Sequence, residues 1–204
     1  MSSEKVEMKD DHLDFLVELL TIGAGRSSEI LSEMLDTYIQ LSIPSIRQID
    51  VKDLSNTIPE YLNQEVSVID LMFKGDVSGE SKLIFPAESA RILGNLLLDA
   101  DEDEDFDSAK VGVLTEVGNI VLNSIMGTIS NYLKINFDYQ IPVYQHNFTR
   151  NSLDDLRKST DTLLLADTRF IAEKYSIQGD IALLFTMKSM EDLTKLMDKY
   201  LEEL

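Results

Sequence analysis

Cysteine is absent from the 204 residues, and with it go disulfides, thiolate metal sites and cysteine nucleophiles. Histidine is scarce: His12 and His146 have no histidine neighbour in sequence, so no metal site is expected. Basic residues are in deficit, with 18 Lys and Arg against 37 Asp and Glu and a formal net charge of −19. Nucleic acid and anionic membrane are bound by neutralising their charge, so neither is an expected partner. No basic segment precedes an apolar stretch at the N-terminus, where residues 1–11 are mostly polar and acidic. Nor does any unbroken apolar run approach the roughly 18 to 20 residues that cross a bilayer. A soluble, cytoplasmic chain without membrane insertion is expected.

What is present is a frame written twice. Asp14, Glu18, Thr21 and Pro44 in the first half correspond to Gly112, Glu116, Asn119 and Pro142 in the second, each displaced by 98 residues. In each half 22 residues separate the Thr or Asn from the proline. A second echo follows, in which Ser78-Gly79-Glu80-Ser81-Lys82-Leu83-Ile84-Phe85 resembles Gln178-Gly179-Asp180-Ile181-Ala182-Leu183-Leu184-Phe185 at an offset of 100. Two halves on one plan, with 44% apolar residues to share a core, predict one pseudo-symmetric domain over residues 1–204. The first repeat runs from about 11 to 98 and the second from about 108 to 203. The acidic block at about 99–107 reads as a solvated linker.

Periodicity assigns the elements. Leu13, Leu16, Val17, Leu20 and Thr21 form a helical stripe that Gly23-Ala24-Gly25 interrupts before a second helix from about Ser27 to Tyr38. Short β-rich segments follow at Ile43 to Ile49, Val66 to Lys74 and Gly79 to Phe85, and then a helix from Pro86 to Leu98. The second half offers strands at Gln140 to Gln145, Thr162 to Ile171 and Gly179 to Thr186, and a closing helix from about Ser189 to Leu201. The expected fold is α+β: helix, helix, three strands, helix in each half, with an antiparallel sheet packed against helices.

A shared core accounts for the repeated leucines but not for the polar positions. Glu116 and Asn119 stand three residues apart on a helix, so both project from one face and reach one small target. A carboxylate can pair with a partner's lysine, and a carboxamide can donate to and accept from a water molecule. With no strong base, nucleophile or metal ligand beside them in sequence, they suit the completion of another protein's active site.

The duplicated frame, with Leu19-Leu20-Thr21-Ile22-Gly23-Ala24-Gly25 and Leu114-Thr115-Glu116-Val117-Gly118-Asn119-Ile120 around it, resembles the CheC/CheX/FliY family of chemotaxis phosphatases over about residues 11 to 203. The resemblance implies dephosphorylation of a phosphorylated CheY-like receiver domain, whose phosphoaspartate sits beside the receiver's own Mg2+. No cofactor is implied in this chain. Carried over by motif, Glu116 engages the receiver's lysine, Asn119 positions the attacking water, and Pro142 fixes the start of a strand. CheD, a known partner of CheC proteins, is the further partner it suggests.

Both sites depart from the family pattern. Asp14, Glu18 and Pro44 fit, but Thr21 replaces the amide with a single hydroxyl, so the first site is expected to be a degenerate copy, weak or silent. In the second site Gly112 stands where the family has Asp or Ser. One productive receiver encounter per chain is therefore expected. The competing reading is a catalytically silent module of the same fold, regulating CheD or related to the flagellar switch protein FliM. A receiver's pocket is itself acidic, so attraction would require segregated cations, for which Arg26, Arg47, Lys110 and Lys134 are the candidates.

Overall fold

A computed structural model describes residues 6–53, 65–98, 108–146, 162–172 and 175–203. Each half begins with a 26-residue helix: α1 (Asp10–Leu35) in the first and α3 (Ser108–Leu133) in the second. After α1 come β1 (Ile39–Asp50), a short 3-10 turn (Val51–Asp53), β2 (Val66–Gly75), β3 (Gly79–Pro86) and α2 (Ala87–Leu98). After α3 come β4 (Phe137–Tyr139), β5 (Val143–His146), β6 (Thr162–Ala172), β7 (Tyr175–Phe185) and α4 (Met187–Glu202). The expected acidic linker at about 99–107 lies outside the described residues.

The expected α+β class is correct, with one correction to the order of elements. Residues 10–35 form one continuous helix, not two joined at Gly23-Ala24-Gly25. The reason is packing between α1 and α3. A Cβ on Gly23 would lie 2.6 Å from the Cα of Ile125, so the glycine lets two helix backbones approach and does not end a helix. Each half is thus helix, three strands, helix, with the first strand of the second half split into β4 and β5.

The seven strands form one antiparallel sheet in the order β1-β6-β7-β3-β2-β4, with β5 also on β2. Strands of the two halves interleave, and exchanging each strand for its counterpart reverses the order without changing it. The two echoed glycines obey the same symmetry. A Cβ on Gly79 would lie 2.3 Å from the carbonyl oxygen of Leu184, and one on Gly179 would lie 2.7 Å from that of Ile84. Both frame prolines interrupt the outer rims of the sheet. The β1–β6 register shifts between Ser42 and Ser45, around Pro44, and Pro142 falls in the gap between β4 and β5.

One apolar cluster joins the helices to one face of the sheet, through residues such as Leu16, Leu20, Val117, Val121, Ile125, Leu83 and Phe85. A smaller one, including Val66, Val68, Ile84, Leu165 and Leu184, covers the other face. Within that face Lys82 is buried, 2.5 Å from Asp70 and 2.9 Å from Glu80. Burial raises Asp70 above the usual carboxylate value, and the neighbouring Lys82 opposes that shift.

Helix α3 bears on the expected absence of a membrane span. By length and overall composition it is apolar enough to cross a membrane. Thr115, Glu116, Asn119 and Asn123 break any continuous apolar run, while Leu114, Val117, Val121, Leu122 and Ile125 are buried in the core shared with α1 and the sheet.

Candidate functional site

The site begins with the handedness of α3. At 3.6 residues per turn the buried residues take one side, which leaves Gly112, Glu116, Asn119 and Asn123 as a stripe on the other. Glu116 is exposed and Asn119 and Asn123 are half-buried. Asn119 Nδ2 donates to Glu116 Oε2 at 3.5 Å, a distance at the outer limit of a hydrogen bond. Asn123 Nδ2 donates to the Asn119 backbone carbonyl at 2.8 Å and to Asn119 Oδ1 at 2.6 Å. Sequence reasoning overlooked Asn123, although its spacing of four from Asn119 is the helical signal that flagged Glu116.

The surface therefore offers a carboxylate with no ion-pair partner among the described residues and an amide hydrogen held only loosely. Gly112, one turn before Glu116, is exposed, and a Cβ there would meet nothing within 4 Å. The carboxylate and the amide can contact a cation and a water molecule together. The carboxamide is not a nucleophile toward phosphorus, and its use is to orient one.

The first frame is arranged differently. Asp14, Glu18 and Thr21 are all exposed on α1, and no hydrogen bond joins them among the described residues. Asp14 and Glu18 line a cleft of about 400 Å³ with Asp11, Phe15, Tyr132 and Tyr200. Thr21 faces a separate cleft of about 430 Å³ with Ser28, Ser32 and Gln40. The counterpart of Asn123 here is Gly25, so this stripe lacks both amides.

The four candidate cations lie on different elements. Lys110 is buried in α3, Arg47 bonds to Asp167 at 3.1 Å on the sheet, Arg26 donates to Thr128 at 3.2 Å, and Lys134 follows the end of α3. His12 is buried and serves structure: its Nε2 lies 2.9 Å from Asp198 of α4, and Lys9 N donates to its Nδ1 at 3.4 Å. Asp198 is held below the usual carboxylate range by its hydrogen bond to Lys9 and then by that to His12. The side chain of His146 lies outside the described residues. Among the described residues no cluster of three or more His, Cys, Asp or Glu is placed to hold a metal ion.

No protein-family model matches the chain. A 140-residue stretch is 26% identical to the CheY-P phosphatase CheC of Bacillus subtilis (strain 168), covering 66% of this chain and 66%, just under two thirds, of that protein. The fold matches that of Thermotoga maritima FliY with a TM-score of 0.74 at 15% identity, over 96% of this chain and 100% of the other. It matches the FliM middle domain from H. pylori with a TM-score of 0.68 at 12% identity, over 93% and 99%. A chain of the CheX-CheY-BeF3-Mg+2 complex from Borrelia burgdorferi matches with a TM-score of 0.52 at 20% identity, over 83% and 97%. At these identities the structures speak for the fold, and the sequence match with CheC, together with the twice-written frame, speaks for kinship. In sequence and fold the chain is similar to the CheC/CheX/FliY family of chemotaxis proteins, with its sequence likeness to CheC.

Proposed function

We propose that this chain is a cytoplasmic phosphatase that hydrolyses the phosphoaspartate of a CheY-like receiver by lending it one carboxylate and one amide. The observation that carries the reading is the placement of Glu116 and Asn119 on one open face of α3, within 3.5 Å of each other. Glu116 engages the receiver's lysine and so fixes the docking angle. Asn119 exchanges its weak contact with Glu116 for the attacking water and holds that water in line with the phosphorus. The Mg2+ that stabilises the developing charge belongs to the receiver. Phosphoryl transfer depends on alignment and charge stabilisation, so such a division of labour is chemically sufficient.

Loss of one preorganised contact of this kind costs about 3 kcal/mol, roughly a hundredfold in rate. Single-turnover decay of a phosphorylated CheY-type receiver, followed with wild type, Glu116→Ala and Asn119→Ala, tests the reading. Asn119→Ala is expected to lower the rate at saturation far more than it weakens binding. Equal turnover by Asn119→Ala and wild type sinks the assignment.

A catalytically silent module that regulates CheD or a related signalling partner is the competing reading. What favours it is the bare surface at Gly112, where the family carries Asp or Ser, and the fold shared with a FliM middle domain. Receiver decay unaffected by the wild-type protein, together with CheD binding, is its expected signature.

A further inference from the structure

We infer that Asn123 is the positioning residue of this site: it fixes which end of the Asn119 carboxamide faces outward. The inference rests on the phosphatase reading above. Oxygen and nitrogen of an amide are interchangeable in shape, so the orientation has to come from the hydrogen-bond network. Here the network has a fixed starting point. The backbone carbonyl of Asn119 can only accept, so the Asn123 atom 2.8 Å from it must be Nδ2. That same Nδ2 lies 2.6 Å from the Asn119 side chain, which must therefore present an acceptor, Oδ1. The remaining end of Asn119 is then Nδ2, directed at the carboxylate of Glu116, which again can only accept. Every contact is satisfied in one orientation, and reversing either amide sets two donors or two acceptors against each other.

The symmetry of the chain supports treating the two amides as a unit. At an offset of 98 residues Asn119 and Asn123 fall on Thr21 and Gly25, so one half has both amides and the other neither. Asparagine is a poor helix former, and two of them, half-buried in the middle of a helix, cost stability that Glu or Lys would not. Solubility does not account for them. A locked Asn119 enters the encounter with its amide hydrogens already outward and one lone pair of Oδ1 still free for water, so no rotation has to be stopped during the reaction.

Asn123→Asp tests this directly, because a carboxylate at that position cannot donate and instead draws Asn119 Nδ2 toward itself. Asn123→Gln keeps a donor within reach. Receiver decay is measured under single-turnover conditions over a range of protein concentrations, so that the saturating rate and the half-saturating concentration separate. Asn123→Asp is expected to lower the saturating rate about tenfold with an unchanged half-saturating concentration, and Asn123→Gln to recover most of the loss. In parallel, the side-chain amide resonances of Asn119 are expected to shift in Asn123→Asp and to stay near wild type in Asn123→Gln.

A saturating rate for Asn123→Asp equal to wild type overturns the inference while leaving the phosphatase reading intact. A wild-type protein that does not accelerate decay removes both. An Asn119 amide resonance unmoved by Asn123→Asp overturns the positioning role whatever the rates.

Discussion

Lys82 and Ala182 pair directly across the β3–β7 ladder and occupy the same position in the two halves, 100 residues apart. The pseudo-two-fold axis passes between them. At such a point a faithful duplication would set two lysines side by side in a buried sheet, with their charges in conflict. The chain instead keeps one lysine, satisfied by Asp70 and Glu80, and in the other half continues the same row through Ala182 and Leu165.

The buried cluster makes a stability prediction. Lys82→Met leaves two carboxylates without their counter-ion, so it is expected to cost about 3–5 kcal/mol in urea unfolding, and Asp70→Asn clearly less. The pH dependence follows from the raised value of Asp70. The folded state takes up this proton at a higher pH than the unfolded chain, so the carboxylate's penalty is felt above the raised value. It is relieved as pH falls through the interval down to the unfolded value near 3.8. Lys82→Met should therefore gain stability relative to wild type on acidification, and a loss would contradict the assignment.

Gly23 makes a second. A methyl group there would press on the Ile125 backbone, which cannot swing aside as a side chain can. Gly23→Ala is expected to destabilise by about 1–3 kcal/mol despite alanine's better helix propensity. Thermal unfolding distinguishes this from the stabilisation expected if the glycine served only to bend the chain.

The α1 stripe, expected to be a degenerate copy, offers a gain-of-function test. Gly25 is exposed, and an added Cβ meets nothing within 4 Å, so a side chain can start there without a clash. In an Asn119→Ala background, Thr21→Asn alone is expected to restore a little receiver decay, and Thr21→Asn with Gly25→Asn several-fold more. Equal effects of the single and double variants would show that the second amide contributes nothing.

Charge sets the ionic-strength dependence of the encounter. With a net charge of −19 and its candidate cations on α1, the sheet and the two ends of α3, the protein is expected to repel an acidic receiver pocket at long range. Screening over a Debye length near 10 Å at about 0.1 M should speed association. Stopped-flow binding rates that fall as salt is added would contradict this.

The sequence carried the duplication, the α+β class and the polar frame, because Glu and Asn at helical spacing have no place in an apolar pattern. Most strands were legible for a related reason: alternation in segments such as Val66 to Lys74 is set by the two faces of the sheet. Three features were hidden. Gly23 reads locally as a break, since nothing in neighbouring residues reports that Ile125 lies against it. The order in which strands of the two halves interleave depends on contacts about a hundred residues apart. The dispersal of Arg26, Arg47, Lys110 and Lys134 depends on the same long-range placement. Asn123 was within reach, but an amide four residues from another carries no sign of which one orients the other.

The interruptions at Pro44 and Pro142 have a consequence for how other molecules can approach. A strand offered from outside would need an unbroken row of donors and acceptors along β1 or along β4 and β5, and each of those rims is cut near its middle by a residue with no amide hydrogen. Recruitment by strand addition, and the open-ended stacking of sheets into fibres, are thereby discouraged at both flanks. The two stripes lie away from these rims, on the helices.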